Sequence, residues 1–324
     1  MALHGWLIID KPVGPGSTRI VSAVKRALRA GGYPKVKVGH GGTLDPLASG
    51  VLPVALGEAT KLCGRMLDSD KVYDFTIGFG VETVTLDAEG EVVATSDVRP
   101  NSTEVEAVLP RFTGKIEQVP PAYSALMVEG KRAYDRARAG EQVEMKTRWV
   151  TVYNLSIRHP ELVSGSSSGA VAGPPQWMLK HVQHDGLGEI TLTAAVSKGT
   201  YIRSLARDIA RALGTVGSVK MLRRIKAGPF TLAQAISLDK LDELAKARAL
   251  EQALLPLTAG LDDIPALSVT PDQARLLRQG QKVIGIATTP GLYLATDQSV
   301  PVALVELSEG ELRPELRVVR GFNL

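Results

Sequence analysis

The sequence predicts an α+β protein, in which a mixed, mostly antiparallel sheet is flanked by helices and followed by a small β-rich C-terminal domain. Three patterns lead there. Tyr73, Phe75, Ile77 and Phe79 alternate with smaller or polar residues, as do stretches near 149–157 and 189–196, which is the two-residue period of half-buried strands. Ile20, Val21, Val24 and Leu28 recur at helical spacing, and so do Ile202, Leu205, Ala206, Ile209 and Leu213. Beyond about Leu257 the chain changes to short Val- and Leu-rich runs separated by Gly, Pro and Asp.

Taken in order, Leu7 to Asp10 reads as a strand closed by Lys11-Pro12, and Ser17 reads as the cap of the first helix. Residues 31–50 hold six glycines and two prolines around Asp45, which predicts an irregular loop of special backbone geometry. Along the helix from Ile202, the residues Arg203, Arg207 and Arg211 form a second stripe, and Gly214 suits its C-terminal end. Residues 161–175 are low in complexity and predict a flexible insertion spanning about 160–188. The expected domains are therefore 1–257 and 258–324.

With 324 residues, 44% hydrophobic and 22% charged, the composition is that of an ordinary globular chain rather than a disordered or membrane one. The start lacks a basic flank and a long apolar run, so a cytoplasmic location is expected. Cys63 is the only cysteine, which excludes an internal disulfide and a multi-cysteine metal site. A net charge of +4 and a pI near 9.1 lean toward polyanionic partners, and basic residues bunch at 25–37, 131–138 and 203–226.

No P-loop, His-Glu-x-x-His or complete dinucleotide turn is present, so no cofactor and no metal is expected. Gly165, Ser167 and Gly169 match a nucleophile-elbow pattern, but in low-complexity sequence without the strand-to-helix turn it requires. The distinctive segment is Gly39-His40-Gly41-Gly42-Thr43-Leu44-Asp45-Pro46-Leu47-Ala48-Ser49-Gly50, which presents one carboxylate from a glycine-rich frame. Taken alone, an Asp before Pro is more often an Asx-turn residue than a catalyst.

This segment resembles the catalytic motif of the TruB family of tRNA pseudouridine synthases. Further matches follow in the family's order: Asp10-Lys11-Pro12, Leu56 to Lys61, Asp70-Lys71-x-Tyr73, Gln118-Val119-Pro120 with Tyr123 to Leu126, Lys198 to Arg203, and Leu222-Arg223-Arg224. Together they cover roughly residues 5–235, far more than one motif could by chance.

The resemblance implies a pseudouridine synthase fold with a PUA-like C-terminal domain, and isomerisation of uridine 55 in the T-loop of tRNA. It implies Asp45 as the essential carboxylate, acting as nucleophile or as base at the ribose. An internal transfer needs neither water nor the second carboxylate of hydrolytic glycosidases. By resemblance Arg203 pairs with Asp45, Tyr73 stacks on the flipped uracil, Tyr201 and Leu222 line the pocket, and Lys198 lies close by. His40 corresponds to the plug of the vacated space. For Leu222 a plain core role is an equal alternative, and His40 has a structural one. Lys11, Lys61 and Arg132 are candidate phosphate contacts.

One departure stands out: the family's Thr-Asp-Thr-x-Asp is Thr83-Val84-Thr85-Leu86-Asp87 here, leaving Asp87 as the acid that supports Arg203. The expected partner is the T-arm of tRNA, with no membrane and no obligate protein partner, the protein acting as a monomer. Three competing readings are a guide-RNA-dependent relative working inside a particle, a non-catalytic tRNA-binding or folding factor on the same fold, and a uracil-releasing hydrolase, which would need a positioned water and finds no second carboxylate close to Asp45.

Overall fold

The computed structural model describes residues 3–158, 186–286, 288–309 and 314–324. Most of the expected insertion, and the Gly165-Ser167-Gly169 match with it, lie outside the described residues. The chain forms two compact units: Met1–Pro46, Gly50–Asp68 and Lys226–Leu324 make the first, and Leu47–Ser49 with Ser69–Ile225 the second.

In the first unit the strand Gly5–Lys11 runs antiparallel to Ala48–Leu56, from Gly5 opposite Leu56 to Lys11 opposite Gly50. Leu254–Leu255 adds to the far edge of Gly5–Lys11, and Val38–His40 pairs with Ala48–Leu56 so that His40 faces Val54. Residues 31–50, read from sequence as wholly irregular, therefore contribute a short strand and the start of a long one. Glycine is tolerated there because the backbone must come close to its neighbours: a Cβ on Gly41 would lie 2.5 Å from Cβ of Met66.

The predicted first helix is Ser17–Ala30, with Ile20, Val21, Val24 and Leu28 buried. Its cap position, however, is Gly16, and no side chain caps it. Ser17 is the first helical residue and its hydroxyl is committed to a loop 27 residues onward.

The later part of this unit is a five-stranded sheet ordered Ala266–Ser268, Gly291–Asp297, Val300–Ser308, Glu315–Gly321 and Val283–Ile284, with one helix, Pro271–Arg278. The first pair is parallel and the rest antiparallel. Leu294, Leu304 and Phe322 from it join Trp6, Ile8, Val51 and Phe230 in one buried cluster.

The second unit is built on the antiparallel order Lys71–Phe79, Glu189–Val196, Arg148–Ile157 and Gly114–Gln118. Phe75, Ile77, Leu192, Ala194 and Val196 bury one face against Ile202, Leu205, Ala206 and Ile209 of the helix Ile202–Ala212. Both periodicities meet in this core, strand alternation and helical stripe. Gly214 follows the helix at φ 73°, the left-handed geometry that ends a helix cheaply for glycine. Among the described residues no helix is long and apolar enough to cross a membrane.

Among the described residues Trp6 is the largest fully buried side chain; its ring packs 5.4 Å from Phe230 and its Nε1 donates to the Leu257 carbonyl at 3.2 Å. Trp6→Ala should lower stability by about 3–5 kcal/mol, because it opens a large cavity and frees a buried acceptor. The midpoint of urea unfolding checks this.

Candidate active site

Asp45 lies half-buried on the loop between Val38–His40 and Ala48–Leu56, and both its chain neighbours are fixed from outside the loop. The Leu44 N–H donates to Ser17 Oγ at 2.8 Å, while that hydroxyl lies 3.2 Å from the Leu44 carbonyl, to which it donates. The Pro46 carbonyl accepts from the Gly14 N–H at 2.8 Å and from Lys11 Nζ at 3.1 Å. Gly14, at φ 111°, is where a left-handed turn brings that N–H round. Leu44 is itself buried, so the carboxylate-bearing residue hangs between two anchored peptides.

Lys11 is held by this geometry. Read from sequence as a phosphate contact, it is 0% exposed, and its ammonium also donates to the Pro12 carbonyl at 2.9 Å. A buried cation of this kind persists only by satisfying its donors on fixed oxygens, and here that fixes the Asp45 loop. Lys61 makes an internal tie: its Nζ donates to the Gly321 carbonyl at 2.8 Å and pairs with Glu58 Oε2 at 2.7 Å. Glu58 Oε2 in turn accepts the Asn323 N–H at 2.8 Å. Arg132 is exposed within the short hairpin of Met127–Val128 and Lys131–Arg132, opposite Met127, and His40 is half-buried at the end of its strand.

In the second unit Arg203 is 5% exposed and its guanidinium is spread over several acceptors. Its Nη1 donates to the Thr85 carbonyl at 2.8 Å and to Asp87 Oδ2 at 3.2 Å, and its Nη2 to the Tyr123 carbonyl at 3.0 Å. Asp87 is buried too, and its Oδ1 accepts from Thr85 Oγ1 at 2.5 Å and from the Glu89 N–H at 3.1 Å. Leu86, between them, is held at φ 63°, a conformation an ordinary side chain adopts only at a cost of roughly 1–3 kcal/mol. Val84, where the family pattern has an acid, is 41% exposed, so the missing carboxylate costs no buried ion pair.

Tyr73 sits on Lys71–Phe79 opposite Ala194, half-buried against the core, and Leu222 packs partly against the same core. Lys198 is exposed and Tyr201 half-buried, on the turn that enters the helix carrying Arg203. Tyr201, Arg203 and Asp87 are thus gathered around one helix start, while Asp45, His40, Lys11 and Lys61 belong to the first unit.

A profile of the TruB family pseudouridylate synthase N-terminal domain matches residues 25–168, and one of the tRNA pseudouridylate synthase B C-terminal domain matches residues 203–262. A Novosphingobium aromaticivorans protein named tRNA pseudouridine synthase B is 61% identical over 322 residues, 99% of this chain and 98% of its own length. The chain belongs to the TruB family of pseudouridylate synthases. A Zymomonas mobilis protein of the same name is 58% identical, covering 99% of this chain and 97% of its own. Among solved structures, a Cbf5-Nop10-Gar1 complex aligns with a TM-score of 0.69 at 24% identity, over 99% of this chain and 85% of that one. An H/ACA RNP bound to a substrate RNA containing 2'-deoxyuridine also reaches 0.69, at 22% identity, over 99% and 86%. These two show the pseudouridine synthase fold.

TruB membership accounts for the motifs quoted from the sequence, yet several groups that hold the site carried no signal there. Ser17 looked like a helix cap. Gln118 lay in a quoted motif without a role, and Arg148 was one basic residue among many. The carbonyls of Thr85 and Tyr123, being backbone, are invisible in any pattern of side chains.

Two outcomes test this TruB site. Ser17→Ala strands the buried Leu44 N–H, which should cost about 1–3 kcal/mol of stability and lower turnover as the Asp45 loop loosens. Thermal denaturation alongside an activity assay measures both. For Glu58, burial pushes the carboxyl up, but the hydrogen bonds from Lys61 and Asn323, with the charges of Lys61 and His4, bring it below its ordinary 4.5. A lowered folded value means the tie stabilises above the unfolded pKa and is lost as pH falls through the folded one. Glu58→Gln should therefore lower the melting temperature at neutral pH, with the gap to wild type closing below pH 4.5.

Proposed function

We propose that the protein converts uridine 55 in the T-loop of tRNA to pseudouridine, with Asp45 as its catalytic carboxylate. The observation that carries this is the double anchoring of the Asp45 loop, Leu44 on Ser17 and Pro46 on Gly14 and Lys11. Preorganisation of that kind is what a reaction requires when one group must meet a sugar carbon in a fixed geometry. The printed name of the 61% identical relative, tRNA pseudouridine synthase B, supports tRNA as the substrate.

In this reading the target uridine is flipped from the T-loop, His40 fills the space it leaves, and Tyr73 stacks on the uracil. Tyr201 and Leu222 line the pocket, Lys198 stands at its edge, and Asp87 steadies Arg203. Asp45 acts as nucleophile or as base at the ribose while the N1 glycosidic bond breaks. The uracil turns, a bond forms from C5 to the same ribose carbon, C5 gives up its proton and N1 takes one up, so the product is an isomer of the substrate. Exposed Arg132 contacts phosphate, and residues 258–324 serve as a PUA-like RNA-binding domain. The protein works as a cytoplasmic monomer without guide RNA or protein partner.

The purified protein and its Asp45→Asn variant are incubated with unmodified tRNA carrying tritium at uridine C5. Release by wild type, none by Asp45→Asn, and product confined to the T-loop are expected. Tight binding by wild type without release would replace this reading with a tRNA-binding or folding factor.

A further inference from the structure

Tyr201 is held by two side chains, Gln118 and Arg148. Its backbone N–H donates to Gln118 Oε1 at 2.8 Å, and Gln118 Nε2 donates to the Tyr201 carbonyl at 3.1 Å. One primary amide thus satisfies both polar groups of a single residue, as a neighbouring strand would. Gln118 is 1% exposed, so this pairing cannot be exchanged for water without cost. On the ring side, the guanidinium carbon of Arg148 stands 4.7 Å from the Tyr201 ring centroid, and Arg148 Nη2 donates to the Gly199 carbonyl.

Gln118 and Arg148 are direct cross-strand partners, the last residue of Gly114–Gln118 and the first of Arg148–Ile157. Opposed residues of an antiparallel pair project on the same face, so one rung of the ladder carries both grips on Tyr201. The tyrosine has no side-chain cap interaction at the entrance of its helix and needs an outside constraint to keep one orientation.

We infer that Gln118 and Arg148 are positioning residues for the pseudouridine synthase reaction, fixing the backbone and the ring of Tyr201 against the turning uracil. The inference rests on the assignment of Tyr201 to the uracil pocket. Arginine suits the ring side because its guanidinium is planar and can stack while still donating in its own plane, which a lysine ammonium cannot do. Glutamine suits the backbone side because a carboxylate would keep the acceptor for Tyr201 N–H and lose the donor for its carbonyl.

The test is a double-mutant cycle on tritium release at several tRNA concentrations, using wild type, Arg148→Met, Tyr201→Leu and the double variant. Arg148→Met should lower kcat about tenfold and leave KM within about twofold, as expected when a group acts only by orientation. In the Tyr201→Leu background the same change should cost under about twofold, because its route of action is already gone. Arg148→Lys should remain as slow as Arg148→Met, and Gln118→Glu should show the same split with its melting temperature recorded to separate folding from turnover. Losses that multiply independently in the double variant would overturn the inference. So would a rise in KM at unchanged kcat with a weaker salt dependence of tRNA binding, which marks a phosphate contact instead. Wild type that releases no tritium fails the proposed function itself, whereas active wild type with independent losses fails only the positioning role.

Discussion

The site depends on buried donors reaching backbone carbonyls across long stretches of sequence. Lys11 reaches the Pro46 carbonyl, and Arg203 the carbonyls of Thr85 and Tyr123. A cation removed from water is tolerable only where fixed oxygens replace its hydration, and those oxygens are in turn held in place by it. Each such contact converts an irregular loop into a rigid one without adding regular structure. That is why a glycine-rich segment can present Asp45 in one place.

Strand register supplies the other half of that rigidity. Lys11 faces Gly50 across the first pair of strands, so the residues at the base of the Asp45 loop are set by the same ladder that orders the core. In the second unit, the rung that pairs Arg148 with Gln118 does for Tyr201 what Ser17 does for Leu44. The two units do this separately: Asp45 is flanked by the anchored Leu44 and Pro46, whereas Tyr201 is held by its own backbone and its own ring. Leu86, kept at φ 63° beside Asp87, shows backbone strain accepted in return for such placement.

Much of the fold was legible in one sequence. The alternation at 73–79 and 189–196 and the helical stripe from Ile202 each report burial on one face, and burial on one face is what the core required. The reading failed where local pattern and distant partner disagree. Residues 31–50 looked wholly irregular because glycine weakens strand propensity, yet pairing with Leu56, Ala55 and Val54 makes Val38–His40 a strand. Ser17 looked like a cap because serine before an apolar helix usually is one, and only the approach of Leu44 gives its hydroxyl a different task.

What the sequence determined by itself is the family and the main strands and helix of the core, since periodicity and ordered motifs survive without knowledge of the third dimension. What the tertiary structure alone decided is the fate of each basic residue. Lys11, Lys61, Arg132 and Arg203 are alike as letters, but one is buried under a loop, one ties down the last strand, one is exposed, and one grips two backbone carbonyls and a buried carboxylate. The physical reason is that a charge is placed by the oxygens within reach of its tip, and folding brings those oxygens from positions tens or hundreds of residues away.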